Sequence, residues 1–166
     1  MIPSIAWVLP RPPKSKYPGG FPLHAEIKIL REIGFDPKKF SEQNEKILHP
    51  FGGKAEYGVR CDLNISVSPD YICDAHNLPF QDNTFEVTFL DPPYNESYSK
   101  SLYNTPKPKY KQYTKEAVRV TKSGGYVIVY HWANTPTPEG CQLIKRIFIG
   151  TRTWHTPREV HINRKI

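Results

Sequence analysis

Two consecutive prolines, Pro92 and Pro93, follow the apolar run FEVTFL (residues 85–90) and a single acid, Asp91. Proline lacks an amide hydrogen and has a fixed φ, so neither residue can continue a sheet and the pair holds the turn nearly rigid. A strand ending at Leu90 is therefore predicted, with Asp91, the prolyl carbonyls and Tyr94 presented beyond it in nearly fixed relation.

Other segments repeat this arrangement. KILHPF (46–51), YGVRCDL (57–63) and DYICDA (70–75) are short apolar runs that close on polar residues, and GYVIVYHW (125–132) is the most apolar strand and so reads as central. Residues 108–122 have helical spacing through Tyr110, Tyr113, Ala117, Val118 and Val120, ended by Gly124-Gly125. PEGCQLIKR (138–146) reads as helical, and RIFIGTRTW with REVHINRKI as a closing antiparallel pair. About seven strands with intervening helices, the first five parallel, describe an open α/β sheet.

Parallel neighbours normally need a crossover of a dozen or more residues, yet only six separate Phe51 from Gly58. Six extended residues reach roughly 20 Å, and a four-residue strand spans about 13 Å. A bare loop can make that return and a helix cannot, so the first crossover helix is predicted to be missing.

Residues 1–22 are rich in proline and lysine and read as an irregular arm with one extended piece, IAWVL. LHAEIKILREI (23–33) places Leu23, Ile27, Leu30 and Ile33 on one helical face, with Gly34 as a stop, and FDPKKFSEQN adds a short helix. Residues 23–166 form one domain, with no segment long enough for a separate target-recognition domain. Seventeen prolines in 166 residues suit a loop-rich chain better than a helical bundle. No run approaches the ~18 apolar residues of a membrane span. The N-terminal apolar run precedes its basic residues, the reverse of a secretory signal. Cys61, Cys73 and Cys141 are odd in number and lack C-x-x-C spacing, which indicates neither a disulfide framework nor a metal site and implies a reducing, cytoplasmic location. A net charge of +7 favours an anionic partner.

Ligands of an open parallel sheet sit beyond the carboxyl ends of its strands. The polar candidates all fall there: His49-Pro50-Phe51-Gly52-Gly53 after the first strand, Asp62 after the second, Asp74 after the third and Asp91 after the fourth. Strand ends favour Asp and Gly as turn formers in any case, but four in succession on one sheet edge point to a site.

The order ILHPFGG…CDLN…CDAHNLPF…FLDPPY resembles the class I S-adenosylmethionine-dependent methyltransferases. Within that class it is similar to the DNA amino-methyltransferases (adenine N6 and cytosine N4), whose catalytic motif is D/N/S-P-P-Y/F/W. The resemblance spans roughly residues 16–163 and includes an upstream YPGGFP segment. It implies a Rossmann-like fold with S-adenosylmethionine as cofactor. Gly52 and Gly53 then let the cofactor's methionine part approach the backbone, and Asp62 accepts from the ribose hydroxyls. Asp74 faces the adenine amino group with Ala75, His76, Asn77 and Leu78 following around the ring, and Phe51 and Leu78 supply apolar walls. Asp91 and the Pro92 carbonyl accept the two hydrogens of a base amine, Pro93 stiffens the turn and Tyr94 stacks on the base. The chain departs from the family at HPFGGKA, where His49 stands in place of the acid that meets the cofactor's ammonium group. A neutral His49 can accept the same hydrogen bond without the charge complementarity, or Glu26 or Asp36 can substitute.

Beyond the turn, YNESYSKSLYNTPKPKYKQYTK (94–115) interleaves tyrosines with lysines. Lysines neutralise phosphates while aromatic rings stack on unpaired bases, so Tyr98, Lys100, Tyr103, Lys107 and Lys109 are candidate substrate contacts. Past Tyr110 the aromatic residues are expected to pack inward. The expected partner is nucleic acid, DNA ahead of RNA, with target recognition supplied by a partner subunit or a homodimer if selectivity is high. An RNA amino-methyltransferase and a non-catalytic nucleic-acid-binding subunit stay open as alternatives.

Overall fold

The computed structural model describes residues 1–10, 21–22, 24–93, 99, 107–132, 134–151 and 156–166. Eight strands form one sheet: β1 (Ser4–Val8), β2 (Ile47–His49), β3 (Val59–Asp62), β4 (Tyr71–Ile72), β5 (Phe85–Leu90), β6 (Thr121–His131), β7 (Cys141–Gly150) and β8 (Arg158–Lys165). Their order across the sheet is β1-β7-β8-β6-β5-β2-β3-β4. From β4 through β6 all pairings are parallel, as the sequence pattern predicts, and β8 runs antiparallel to both β6 and β7. No helix among the described residues is long and apolar enough to cross a membrane.

Three sequence expectations are corrected. The IAWVL piece (5–9) of the expected irregular arm belongs, but for Leu9, to an eighth strand: β1 pairs in parallel with the edge of β7, from Ser4 beside Arg146 to Val8 beside Gly150. Ile5 and Trp7 turn toward the core while their neighbours face solvent, the alternation a half-buried strand requires. Residues 138–146, read as helical, enter β7 at Cys141. Their short apolar run suits either periodicity, and pairing along nearly all of β8 decides for the strand. Finally, the helix read over 108–122 stops at Val120, because Thr121 already takes extended backbone and opens β6.

Two helices whose bounds are described cover the two faces. The first, α1 (Ala25–Arg31), buries Ala25, Ile29 and Leu30 against Val87, Phe89, Ile128 and Ile162. The second, α2 (Tyr110–Val120), makes the β5-to-β6 crossover and buries Tyr113 and Ala117 against Leu90, Val127 and Val129 on the opposite face. Alternate residues of β5 and β6 thus serve two cores, which is why both strands read as continuous apolar runs. As expected, no helix stands between β2 and β3.

The α2–β6 junction is held by a buried polar relay. Thr121 Oγ1 donates to the Ala117 carbonyl at 2.6 Å, which leaves it to accept from Thr88 Oγ1 at 2.7 Å. Both threonines are fully buried. Removing the central hydroxyl orphans the buried Thr88 donor, while the Ala117 carbonyl keeps its bond from the Thr121 amide; removing the outer hydroxyl leaves only spare acceptor capacity. Thr121→Val is expected to destabilise the protein by about 1–3 kcal/mol and Thr88→Val by less than about 1 kcal/mol, as measured by urea unfolding.

Candidate functional site

The chain leaves β2 toward β3 and β4 on one side, then returns to β5 and β6 on the other. That reversal puts a crevice between the carboxyl ends of β2 and β5, where open α/β sheets bind ligands. The rings of His49, at the end of β2, and Phe89, near the end of β5, stack there with centroids 5.1 Å apart.

The turn after β2 is built on β3. Gly52 donates to the Cys61 carbonyl at 2.7 Å, and a Cβ on Gly52 would lie 2.7 Å from Arg60 Cβ. Its missing side chain therefore serves close backbone packing as well as any approach by a ligand. Gly53 adopts φ 44°, in the left-handed region, and donates its amide to Asp62 Oδ2 at 2.8 Å. Asn64 donates to Asp62 Oδ1 at 2.9 Å. Asp62 is thus locked in place and half-buried, with further lone pairs on both oxygens for an incoming hydroxyl. Arg60, which the sequence pattern does not single out, braces the turn through the Gly53 carbonyl at 3.2 Å and reaches the Val67 and Ser68 carbonyls with its other bonds.

Under this turn lies a buried pair. His49 Nε2 and Glu26 Oε1 are 3.0 Å apart, and the side chains are 1% and 6% exposed. They are close but misaligned, so neither atom makes a hydrogen bond. Glu26 Oε2 is anchored by the Glu56 amide at 3.1 Å. Of the two acids the sequence offers as substitutes at this position, α1 brings Glu26 to it. Asp36 is held elsewhere by Arg31 Nε at 2.9 Å, which keeps its carboxyl below the usual range. Unpartnered buried polar atoms are costly, about 1–3 kcal/mol each and more when charged, so these two are the part of the crevice most in need of a ligand.

The segment after β4 forms the opposite wall. Lys109 donates its amide to His76 Nε2 at 2.9 Å, so the ring proton sits on Nδ1 and points to Asp74 Oδ1 at 2.6 Å. Burial alone would raise the Asp74 pKa, but the His76 amide and ring outweigh it and hold the carboxyl below its ordinary value. Ala75 and Leu78 are buried in the cores beneath α2, so Leu78 supports this wall from inside. Phe51 meets Tyr113 edge-to-face at 5.2 Å, and Pro50 is buried beside it.

Two α2 residues absent from any motif hold the segment down. Glu116 accepts from the Leu78 amide at 2.8 Å, while Arg119 donates to the carbonyls of Leu78 (3.0 Å) and Phe80 (2.7 Å) and to Asp82 (2.8 Å). The Arg119 guanidinium also bonds Glu116 at 2.7 Å and keeps that carboxyl below its usual range.

At the end of β5, Asp91 and Pro93 are half-buried and Pro92 is buried. Burial first, and the Asp91 carboxylate second, push the Tyr130 hydroxyl well above its normal pKa, which places Asp91 beside the end of β6. Phe21, from the YPGGFP segment, packs edge-to-face on Phe89 at 5.3 Å and on Tyr130 at 5.1 Å, supporting this edge from the α1 side. Lys107 and Lys109 are exposed at the start of α2. Tyr94, Tyr98, Lys100 and Tyr103 lie outside the described residues. The described candidates His49, Pro50, Phe51, Gly52, Gly53, Asp62, Asp74, Ala75, His76, Leu78, Asp91, Pro92 and Pro93 therefore all come from the carboxyl ends of β2–β5 or the turns that follow them.

No family model and no curated protein matches the sequence. Among solved structures, TrmN from Thermus thermophilus is similar at 15% identity with a TM-score of 0.52, over 89% of this chain and 55% of that one. This chain thus spans about half the length of the TrmN structure. The antibiotic-resistance methyltransferase Kmr overlaps at 10% identity with a TM-score of 0.48, over 80% of this chain and 93% of that one. A SAM-dependent methyltransferase from Aquifex aeolicus overlaps at 14% and 0.44, over 86% and 98%. Of these three, the TrmN likeness is close enough to support an argument, and at that identity it concerns fold: a Rossmann-like methyltransferase fold with an antiparallel C-terminal pair.

Arg119→Met is expected to lower stability by about 1–3 kcal/mol, with faster hydrogen exchange at the Leu78 amide and incomplete rescue by lysine, which lacks the planar fork. Because the Glu116 pKa is depressed in the folded state, its contribution is complete above the ordinary value of 4.5 and is lost as pH falls through the lowered one. Urea unfolding of the Arg119→Met variant in acid should therefore show a shallower decline than the parent.

Proposed function

We propose that this protein transfers a methyl group from S-adenosylmethionine to an exocyclic amine of a nucleic-acid base, adenine N6 in DNA. The observation that carries the reading is the placing of Asp91-Pro92-Pro93 at the end of β5, directly across the switch point from the glycine turn and Asp62. The residues present suit the cofactor's groups. Asp62 retains acceptor capacity for ribose hydroxyls and Asp74 for an amino group. When bound, S-adenosylmethionine supplies an electrophilic methyl group on a sulfonium sulfur.

The chain's own residues address the weak nucleophile. The lone pair of a base amine is delocalised into the ring. Accepting its two hydrogens at the Asp91 carboxylate and the Pro92 carbonyl draws the nitrogen toward tetrahedral geometry and localises that pair. Because Pro92 and Pro93 fix the turn, both acceptors are held ready and little reorganisation accompanies charge development. Asp91 also stabilises the positive charge that develops on the nitrogen. Lys107 and Lys109, exposed at the start of α2, are suited to phosphates of the same strand. Tyr94, with Tyr98, Lys100 and Tyr103, belongs to the same proposed substrate surface. A base within a duplex would have to be rotated out to reach this edge.

Tritiated S-adenosylmethionine offered with DNA or with RNA tests the reading. DNA is expected to take up label on adenine N6, detected by nucleoside mass spectrometry. Uptake by RNA alone would move the proposal to RNA, and cofactor binding without uptake by either would argue for a non-catalytic nucleic-acid-binding subunit. Asp91→Ala is expected to lower kcat by roughly 10²–10³-fold with cofactor affinity retained. Asp62→Ala should instead raise the cofactor KM more than it lowers kcat. Identical behaviour of the two variants would contradict the roles assigned.

A further inference from the structure

Four described side chains hold a buried polar atom without a hydrogen-bond partner: Glu26, His49, Arg146 and Asn163. Of these, Glu26 and His49 face each other at 3.0 Å, at the end of β2 and directly under the glycine turn. We infer that Glu26, carried in from α1, supplies the carboxylate for the ammonium group of the cofactor and that His49 Nε2 is a second acceptor for the same group. This rests on the methyl-transfer reading above and names residues that reading leaves open.

The two groups are fixed by different means. Glu26 Oε2 is tied to the Glu56 amide, so the carboxylate cannot swing away, while Oε1 keeps its lone pairs. The His49 ring lies against Phe89 with 23° between planes, so Nε2 keeps its direction. A primary ammonium has three donors and no acceptor, and can donate to Oε1 and to the Nε2 lone pair together. Water could make the same two bonds, but only a cation also neutralises a carboxylate that is nearly out of solvent. His49 alone, with no carboxylate, lacks that complementarity, and α1 restores it from another part of the chain. Both atoms are buried in this structure and Glu26 is tied to the Glu56 amide, so a ligand engaging Oε1 is expected to alter that bond. Exchange at the Glu56 amide is therefore a second readout.

The test is calorimetric titration of S-adenosylmethionine and of methylthioadenosine, which keeps the nucleoside and thioether but lacks the amino-acid group. Glu26→Gln is expected to weaken S-adenosylmethionine about tenfold or more, or about 1.4 kcal/mol, and to leave methylthioadenosine unchanged, which also certifies the fold. Adding His49→Asp should recover much of the loss, and in the parent protein only S-adenosylmethionine should alter exchange at Glu56. Unchanged S-adenosylmethionine affinity in Glu26→Gln, equal weakening of both ligands, or no recovery by His49→Asp would overturn the assignment while leaving methyl transfer standing. Failure of the parent protein to bind either ligand would overturn the methyl-transfer reading and this inference with it.

Discussion

The parallel pairing of β2 with β5 is the constraint on which the rest of the molecule depends. Ile47 sits beside Val87 and Leu48 beside Thr88, and past those two pairs the strands part and leave their carboxyl ends facing a common crevice. All four residues are fully buried, so a one-residue slip of β2 would turn Ile47 away from the α1 core it shares with Val87. Because the register is held from both faces, the glycine turn and the Asp91-Pro92-Pro93 turn emerge opposite one another.

Between β2 and β5 the connections contain no α-helix. α1 covers one face and α2 the other, and the returns from β2 to β3, β3 to β4 and β4 to β5 are made by turns and loops. The connecting segments are instead tied down by polar side chains. Arg60 braces the segment between β3 and β4, Asp62 holds the turn before it, and Arg119 with Glu116 clamps the segment after β4. These groups spend their hydrogen bonds on main-chain atoms of loops, which are the atoms that would otherwise go unsatisfied where helices are missing. The same ties shape the walls of the crevice, so packing and site geometry rest on shared interactions.

Much of the fold was legible because its signals are local. Phe85–Leu90 alternates between two buried faces and is stopped by proline, and the six-residue gap after Phe51 excludes a helix by length alone. Where a short run suited two periodicities, as at residues 141–146, local pattern misled, and pairing with β8 settled the strand. Likewise, nothing within Ser4–Val8 says that the edge of β7 is free to receive it.

The sequence by itself determined which residues stand at strand ends, since a polar residue after an apolar run, a glycine pair or a double proline acts through its immediate neighbours. Only the tertiary structure decided which of them meet. Glu26, in the first turn of α1, meets His49 at the end of β2, and Lys109, at the start of α2, meets His76 after β4. Arg119 reaches the Leu78 carbonyl from a position 41 residues later in the chain. Such contacts depend on strand order and on the placing of α1 and α2, and contacts across that much chain leave no periodic trace in the residues that make them.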